Sequence, residues 1–311
     1  MAKGARRVES GVDVKKEELL NVIKLGAELA EVRESSPNRP VMLLPMSGND
    51  KKPFQELLKC LNVTAFTLSE VLRKYGDTRD ECEVSALSFM KPELYEYSRV
   101  PGYKGSRKEK IKVNANYAVV SMAGWVLSRL GKARIGRDSV GVHLFPLDVD
   151  SRYGVLPEFL KDVEKIPGIA PVTAFTLWLA SKLVRRGVAV EQLMMYAVHD
   201  AGGMSPASIA GGWLIGLDRV LKNRSVLSEA GDLLEEVVLD AMSLESKTRA
   251  FSIRVSNALY DVLNGSGSLE EFLYFSNRGA LEAWRTNDKR LLEKYVRMAQ
   301  LGWIVYRHLV L

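Results

Sequence analysis

The chain has 311 residues, 47% hydrophobic and 26% charged, with 44 Lys and Arg against 38 Asp and Glu for a net charge of +6. That composition excludes a disordered or fibrous chain, and no apolar run approaches the roughly twenty residues that a bilayer span needs. The charged start, Met-Ala-Lys-Gly-Ala-Arg-Arg, lacks the apolar stretch of a signal peptide, so the cytoplasm is the expected compartment, with no membrane contact. Cys60 and Cys82 stand alone, without a Cys-x-x-Cys pair or a nearby His, and predict ordinary thiols rather than a disulfide framework or a zinc site. Gln is scarce while Lys, Arg and Glu are plentiful, a balance that leans toward a heat-adapted source.

In chain order, residues 15–34 place Leu19, Leu20, Ile23, Leu25 and Leu29 at helical spacing, and Ser-Ser-Pro-Asn-Arg-Pro at 35–40 ends that helix. Residues 41–45 read as a buried strand. The polar turn that follows carries Lys51 and Lys52, and Pro53 opens a helix through Leu61. A second helix is expected from Thr67 or Ser69 to Gly76, then a strand from Glu83 to Met90 and a long basic loop. Tyr117 to Leu130 reads as a helix closed by Gly131, and residues 133–135 and 140–145 as a strand pair.

Beyond Leu156 the pattern is helix after helix, broken at Pro167-Gly168, Gly187, Gly202-Gly203, Asn264-Gly265 and Gly279. Ser205-Pro206 reads as a helix start, and Ser268 with Glu271 as a capping box. The predicted fold is α+β: a mixed domain with a small sheet over 1–150, and an all-α bundle over 151–311. The small residues from Ser205 to Gly212 predict close packing between helices of that bundle, with a docking face for another subunit as the alternative.

Charge is distributed unevenly. Ten Lys and Arg and one acid, Glu109, lie between Arg99 and Arg137, a local charge of +9 that leaves the remainder of the chain net acidic. The second half holds 19 basic and 18 acidic residues, so the cationic character belongs to the first. Cations this concentrated repel one another in a folded protein, and a polyanion relieves that repulsion. Arg99, Lys104, Arg107, Lys108, Lys110 and Lys112 would neutralise phosphates, with Tyr103 available to stack on a base, and Arg129, Lys132, Arg134 and Arg137 would extend the track. Lys51 and Lys52, at a helix start, form a second candidate anion site, although the Gly-x-x-x-x-Gly-Lys spacing of a nucleotide-binding loop is missing. A solvated polar turn is the plainer account of that pair.

Other chemistry has less support. His199-Asp200, placed at a helix end, matches the His-Asp pair of metal-dependent phosphohydrolases and nucleases, but only His143 and His308 could assist it. Asp240, Glu245 and Lys247 match a nuclease trio in residue type and read as a solvated helix face. No nucleophile elbow or dinucleotide fingerprint occurs, so no catalytic residue, metal or cofactor is assigned.

Pro101-Gly-Tyr-Lys-Gly-Ser-Arg107, the segment Tyr117 to Gly131, and Val140-Gly-Val-His-Leu-Phe-Pro146 together resemble the archaeal large subunit of type I-A CRISPR interference complexes. The resemblance implies a non-catalytic subunit of a Cascade-type ribonucleoprotein near the 5′ end of the guide RNA. It would help engage target DNA beside the protospacer-adjacent motif, with crRNA, target DNA, sister subunits and a separate helicase-nuclease as partners. In such complexes base pairing reads most of the sequence while protein holds backbones. A helical scaffold whose basic loop binds an acidic protein remains a further alternative.

Overall fold

The computed structural model describes residues 5–8, 11–35, 51–64, 67–75, 82–90, 111–135, 138–147, 166, 168–188, 190–199, 208–286 and 288–311. The expected strand at 41–45 and the helix start at Ser205-Pro206 lie outside these residues. The fold is α+β. It opens with a hairpin, β1 (Ala5–Val8) and β2 (Gly11–Val14), followed by α1 (Lys16–Ser35), α2 (Lys51–Leu61) and the short α3 (Leu68–Leu72). Thr67 and Glu70 form a reciprocal capping box that starts α3, satisfying amides that a helix leaves open. A two-stranded antiparallel pair, β3 (Glu83–Ser85) and β4 (Lys112–Asn114), leads into α4 (Ala115–Ser128). The expected strand over 83–90 is thus a short strand followed by one 3-10 turn at Ser88–Met90.

Without a break, α4 becomes β5 (Arg129–Ile135), which turns back into β6 (Asp138–Pro146). Gly131, expected to cap the helix, lies in β5 opposite Val142. Then come α5 (Val172–Arg185), β7 (Gln192–His199) and β8 (Ser208–Gly216). These strands make a four-stranded antiparallel sheet in the order β5-β6-β7-β8. Residues 192–216 were expected to be helical, and their strands are a correction with a clear cause. Gln-Leu-Met-Met-Tyr-Ala-Val-His is rich in residues that suit a helix, but β6 has an edge to pair, and tertiary pairing overrides a weak local preference. In β8, Gly211 and Gly212 oppose helix formation directly.

The remainder is helical: α6 (Asp218–Lys222), α7 (Arg224–Glu229), α8 (Gly231–Met242), α9 (Arg249–Leu263), α10 (Leu269–Thr286) and α11 (Lys289–Val310). Gly187 and Gly265 end α5 and α9 with positive φ angles of 66° and 74°, a conformation open to glycine. Gly279 is no break. It sits inside α10, where a Cβ would overlap the Tyr295 ring of α11, so its absent side chain brings the two helices together.

Buried apolar residues form two clusters. The first runs from Ile23 to Leu127 and unites α1 to α4, and the second runs from Leu130 to Val305 and unites the sheet with the later helices. Val140, Val142 and Leu144 of β6 belong with the second cluster, so the compositional boundary at 150 falls past strands whose buried residues lie in the later core. Cys60 and Cys82 were expected to be free thiols, yet they form a disulfide with Cα atoms 5.9 Å apart. The end of α2 and the residue before β3 meet in the first core, a proximity that spacing along the chain does not reveal.

Candidate nucleic-acid interface

Of the cations singled out by sequence, Arg99, Lys104, Arg107, Lys108, Lys110 and Arg137, together with Tyr103, lie outside the described residues. The others occupy two places. Lys51 and Lys52 are exposed at the first turn of α2, and Lys112 is exposed on β4. Between them sits Glu56, whose Oε2 accepts a hydrogen bond from the Ser85 amide at 3.1 Å and another from the Ser85 hydroxyl at 2.9 Å. Those two bonds, aided by the charges of Lys112 and Lys52, hold the Glu56 carboxyl below its ordinary value against an opposing effect of burial. The local positive charge here is therefore partly answered by an internal carboxylate.

The second place is the sheet. One face, made by Ala133, Val140, Val142, Leu144, Leu193, Met195, Ala197 and Ile215, meets the later core. Strand side chains alternate between faces, so their neighbours form the other face. Register sets that outer face in rows: Lys132 beside Gly141 beside Val198, then Arg129 beside His143 beside Tyr196 beside Gly212, then Phe145 beside Met194 beside Leu214. Lys132 and Arg134 are exposed, and neither pairs with an acid among the described residues. Arg129 is different: it directly follows the last residue of α4 and is buried, at 7% exposure. Its guanidinium is inside the protein rather than on a surface track.

That end of α4 also sets Trp125 against the outer face. Trp125 stacks on His143 with centroids 3.8 Å apart, Phe89 stacks on Trp125 at 5.0 Å, and Tyr196 meets Phe145 edge-on at 5.9 Å. His143 is buried and hydrogen-bonded through Nδ1 to the Ser128 hydroxyl at 3.0 Å. Tyr196, Phe145, Gly141, Gly212 and Leu214 were missed by sequence reasoning. Their signal, alternation about Leu193, Met195 and Ala197, is hidden because both faces of β7 are apolar.

The phosphohydrolase alternative changes shape as well. His199 ends a strand, opposite Ser208, rather than a helix, and Asp200 lies outside the described residues. His143 is committed to the ring stack, and His308 contacts Glu229. Among the described residues no group of three or more His, Cys, Asp or Glu is placed to hold a metal ion. Asp240 is engaged structurally: it accepts from the Thr248 hydroxyl at 2.8 Å and from Lys294 at 2.7 Å, clasping α8 to α11. Glu245 and Lys247 lie in the turn after α8 rather than on its face.

The family model for CRISPR-associated protein CsaX matches residues 12–280, most of the chain, from β2 into α10. The chain belongs to the CsaX family. The match spans the first core, the part of the second that precedes residue 280, and every strand of the four-stranded sheet. A CsaX-family protein works with other CRISPR components, and the cations on β5 and beside α2 lie within the matched region. No curated protein matches the chain. No helix among the described residues is long and apolar enough to cross a membrane.

Proposed function

We propose that this CsaX-family chain is the large subunit of an archaeal type I-A, Cascade-type CRISPR ribonucleoprotein. In this role it contacts the 5′ region of the guide RNA and target DNA beside the protospacer-adjacent motif. The observation that carries the reading is the family match combined with a charge of +9 concentrated between Arg99 and Arg137. Lys and Arg bound to phosphates release counterions, which gives affinity without base readout and leaves sequence discrimination to guide pairing. The subunit is non-catalytic, and cleavage falls to a separate helicase-nuclease. The complex works in the cytoplasm. A disulfide such as Cys60–Cys82 is compatible with that compartment in a heat-adapted cell, where intracellular disulfides are common.

The test is the triple variant Arg107→Ala/Lys108→Ala/Lys110→Ala in the assembled complex, titrated against crRNA and target duplex over a range of salt. Binding should weaken alike for all sequences, and the slope of log affinity against log salt should flatten by roughly two to three for duplex DNA. Unchanged affinity for both nucleic acids removes the proposal.

A further inference from the structure

The four strands β5 to β8 contain Arg129, Lys132 and Arg134 but a single acidic residue, Asp138. On the outer face, Lys132 and Arg134 stand exposed along the β5 edge, whereas Arg129 is buried. Toward the opposite edge the face becomes aromatic and apolar. Tyr196 is half-buried in mid-sheet, Phe145 braces it edge-on, and Leu214 is 60% exposed on β8.

Two glycines keep this surface low. A Cβ on Gly212 would come within 3.1 Å of the Tyr196 ring, and one on Gly141 within 3.4 Å of the His143 ring. The Tyr196 ring therefore rests beside the bare backbone of Gly212, whereas the His143 ring beside Gly141 is covered by Trp125. An exposed Leu on an edge strand, a half-buried aromatic ring, and the cations Lys132 and Arg134 displaced from it by two strand spacings across the sheet and by two and four residues along it, roughly 12 and 17 Å, match the reach of two or three nucleotides.

We infer that the outer face of the β5-β6-β7-β8 sheet is a platform for single-stranded nucleic acid, with a base stacked on Tyr196 and backbone phosphates on Lys132 and Arg134. This rests on the nucleic-acid reading above and adds the strand type and the surface. Duplex fits less well, since paired bases present no free ring face to Tyr196. An acidic peptide would use the cations but leave the ring and the glycine floor without a purpose.

The experiment measures fluorescence anisotropy of the full chain with a labelled twelve-nucleotide RNA or DNA strand, the matching duplex, and unlabelled polyglutamate as competitor. The wild-type chain should prefer the single strand. Tyr196→Ala should weaken that binding roughly fivefold to a hundredfold, while Tyr196→Phe, which keeps a ring, stays near wild type. Lys132→Ala/Arg134→Ala should lower the salt slope by about 1.4 on single strands, at roughly 0.7 per phosphate contact. If Tyr196→Ala does not fold, the exposed pair Lys132→Glu/Arg134→Glu gives the same answer through loss of single-strand binding.

Equal affinity of wild type and Tyr196→Ala, a preference for duplex, displacement by polyglutamate that depends on Tyr196, or no binding of single strands by the wild-type chain each overturns the inference. The two proposals fail separately. Loss of binding in the Arg107/Lys108/Lys110 variant with none in Tyr196→Ala sinks the platform alone, and indifference of the assembled complex to the triple variant sinks the broader reading.

Discussion

Glu56 shows how one residue can be set by two short contacts. Its carboxylate accepts both donors of Ser85, so its charged form is favoured in the folded state and its pKa lies below the ordinary 4.5. A depressed folded-state value contributes stability that is present above the unfolded value and disappears as pH falls through the folded one. Glu56→Gln should therefore lower the melting temperature at neutral pH, and the gap to wild type should close as pH drops below about 4.5, the unfolded value. Thermal melts of both proteins between pH 3 and 7 check this. A gap that is constant with pH would mean that shape rather than charge matters at this position. The cations beside Glu56 also show why counting charges along a chain overstates what a surface offers: Lys52 and Lys112 already have a carboxylate between them.

At the scale of elements, the first core is assembled from short pieces. α3 has five residues and β3 and β4 three each, lengths that are marginal without tertiary support. The Cys60–Cys82 bond spans 22 residues and joins α2 to β3 around α3. Closing a loop of that length restricts the unfolded chain and contributes about 3 kcal/mol. Replacing both cysteines by Ser should lower unfolding free energy by about that amount in denaturant titrations, and a reductant should do the same to the wild-type chain. An effect below about 0.5 kcal/mol would show that the surrounding contacts of α1 and α4 suffice. Close approach of α1 to α4 is already provided for: a Cβ on Gly26 would lie 3.3 Å from that of Ala123.

Across the whole molecule, the two cores meet where α4 runs into β5. Trp125 of the first half stacks on His143 of the sheet, and Ser128 hydrogen-bonds the same imidazole. Ring contacts of this kind contribute beyond the area they bury. Trp125→Ala should destabilise the protein by about 2–4 kcal/mol and divide its unfolding into two calorimetric transitions, one per core. A single transition at unchanged temperature would show that the cores are coupled elsewhere. Ion pairs in the later helices, such as Arg185 with Asp232 at 2.8 Å and Lys294 with Asp240 at 2.7 Å, use up cations there. Lys132 and Arg134 have no such partner among the described residues, which is why the exposed positive charge of the described sheet concentrates on the β5 edge.

Local chemistry was legible wherever it is decided within a few residues. Helical periodicity marked α1, Pro53 marked α2, the paired apolar runs marked the β5–β6 hairpin, and composition alone located the cationic segment. Three matters belonged to the tertiary structure. β7 and β8 are strands because β6 supplies an edge, the cysteines are bonded because two distant elements converge, and Arg129 is buried although its charge marks it for the surface. Each depends on contacts between residues far apart in sequence, and long-range contacts override weak local preferences by adding many small packing and hydrogen-bond terms in one place.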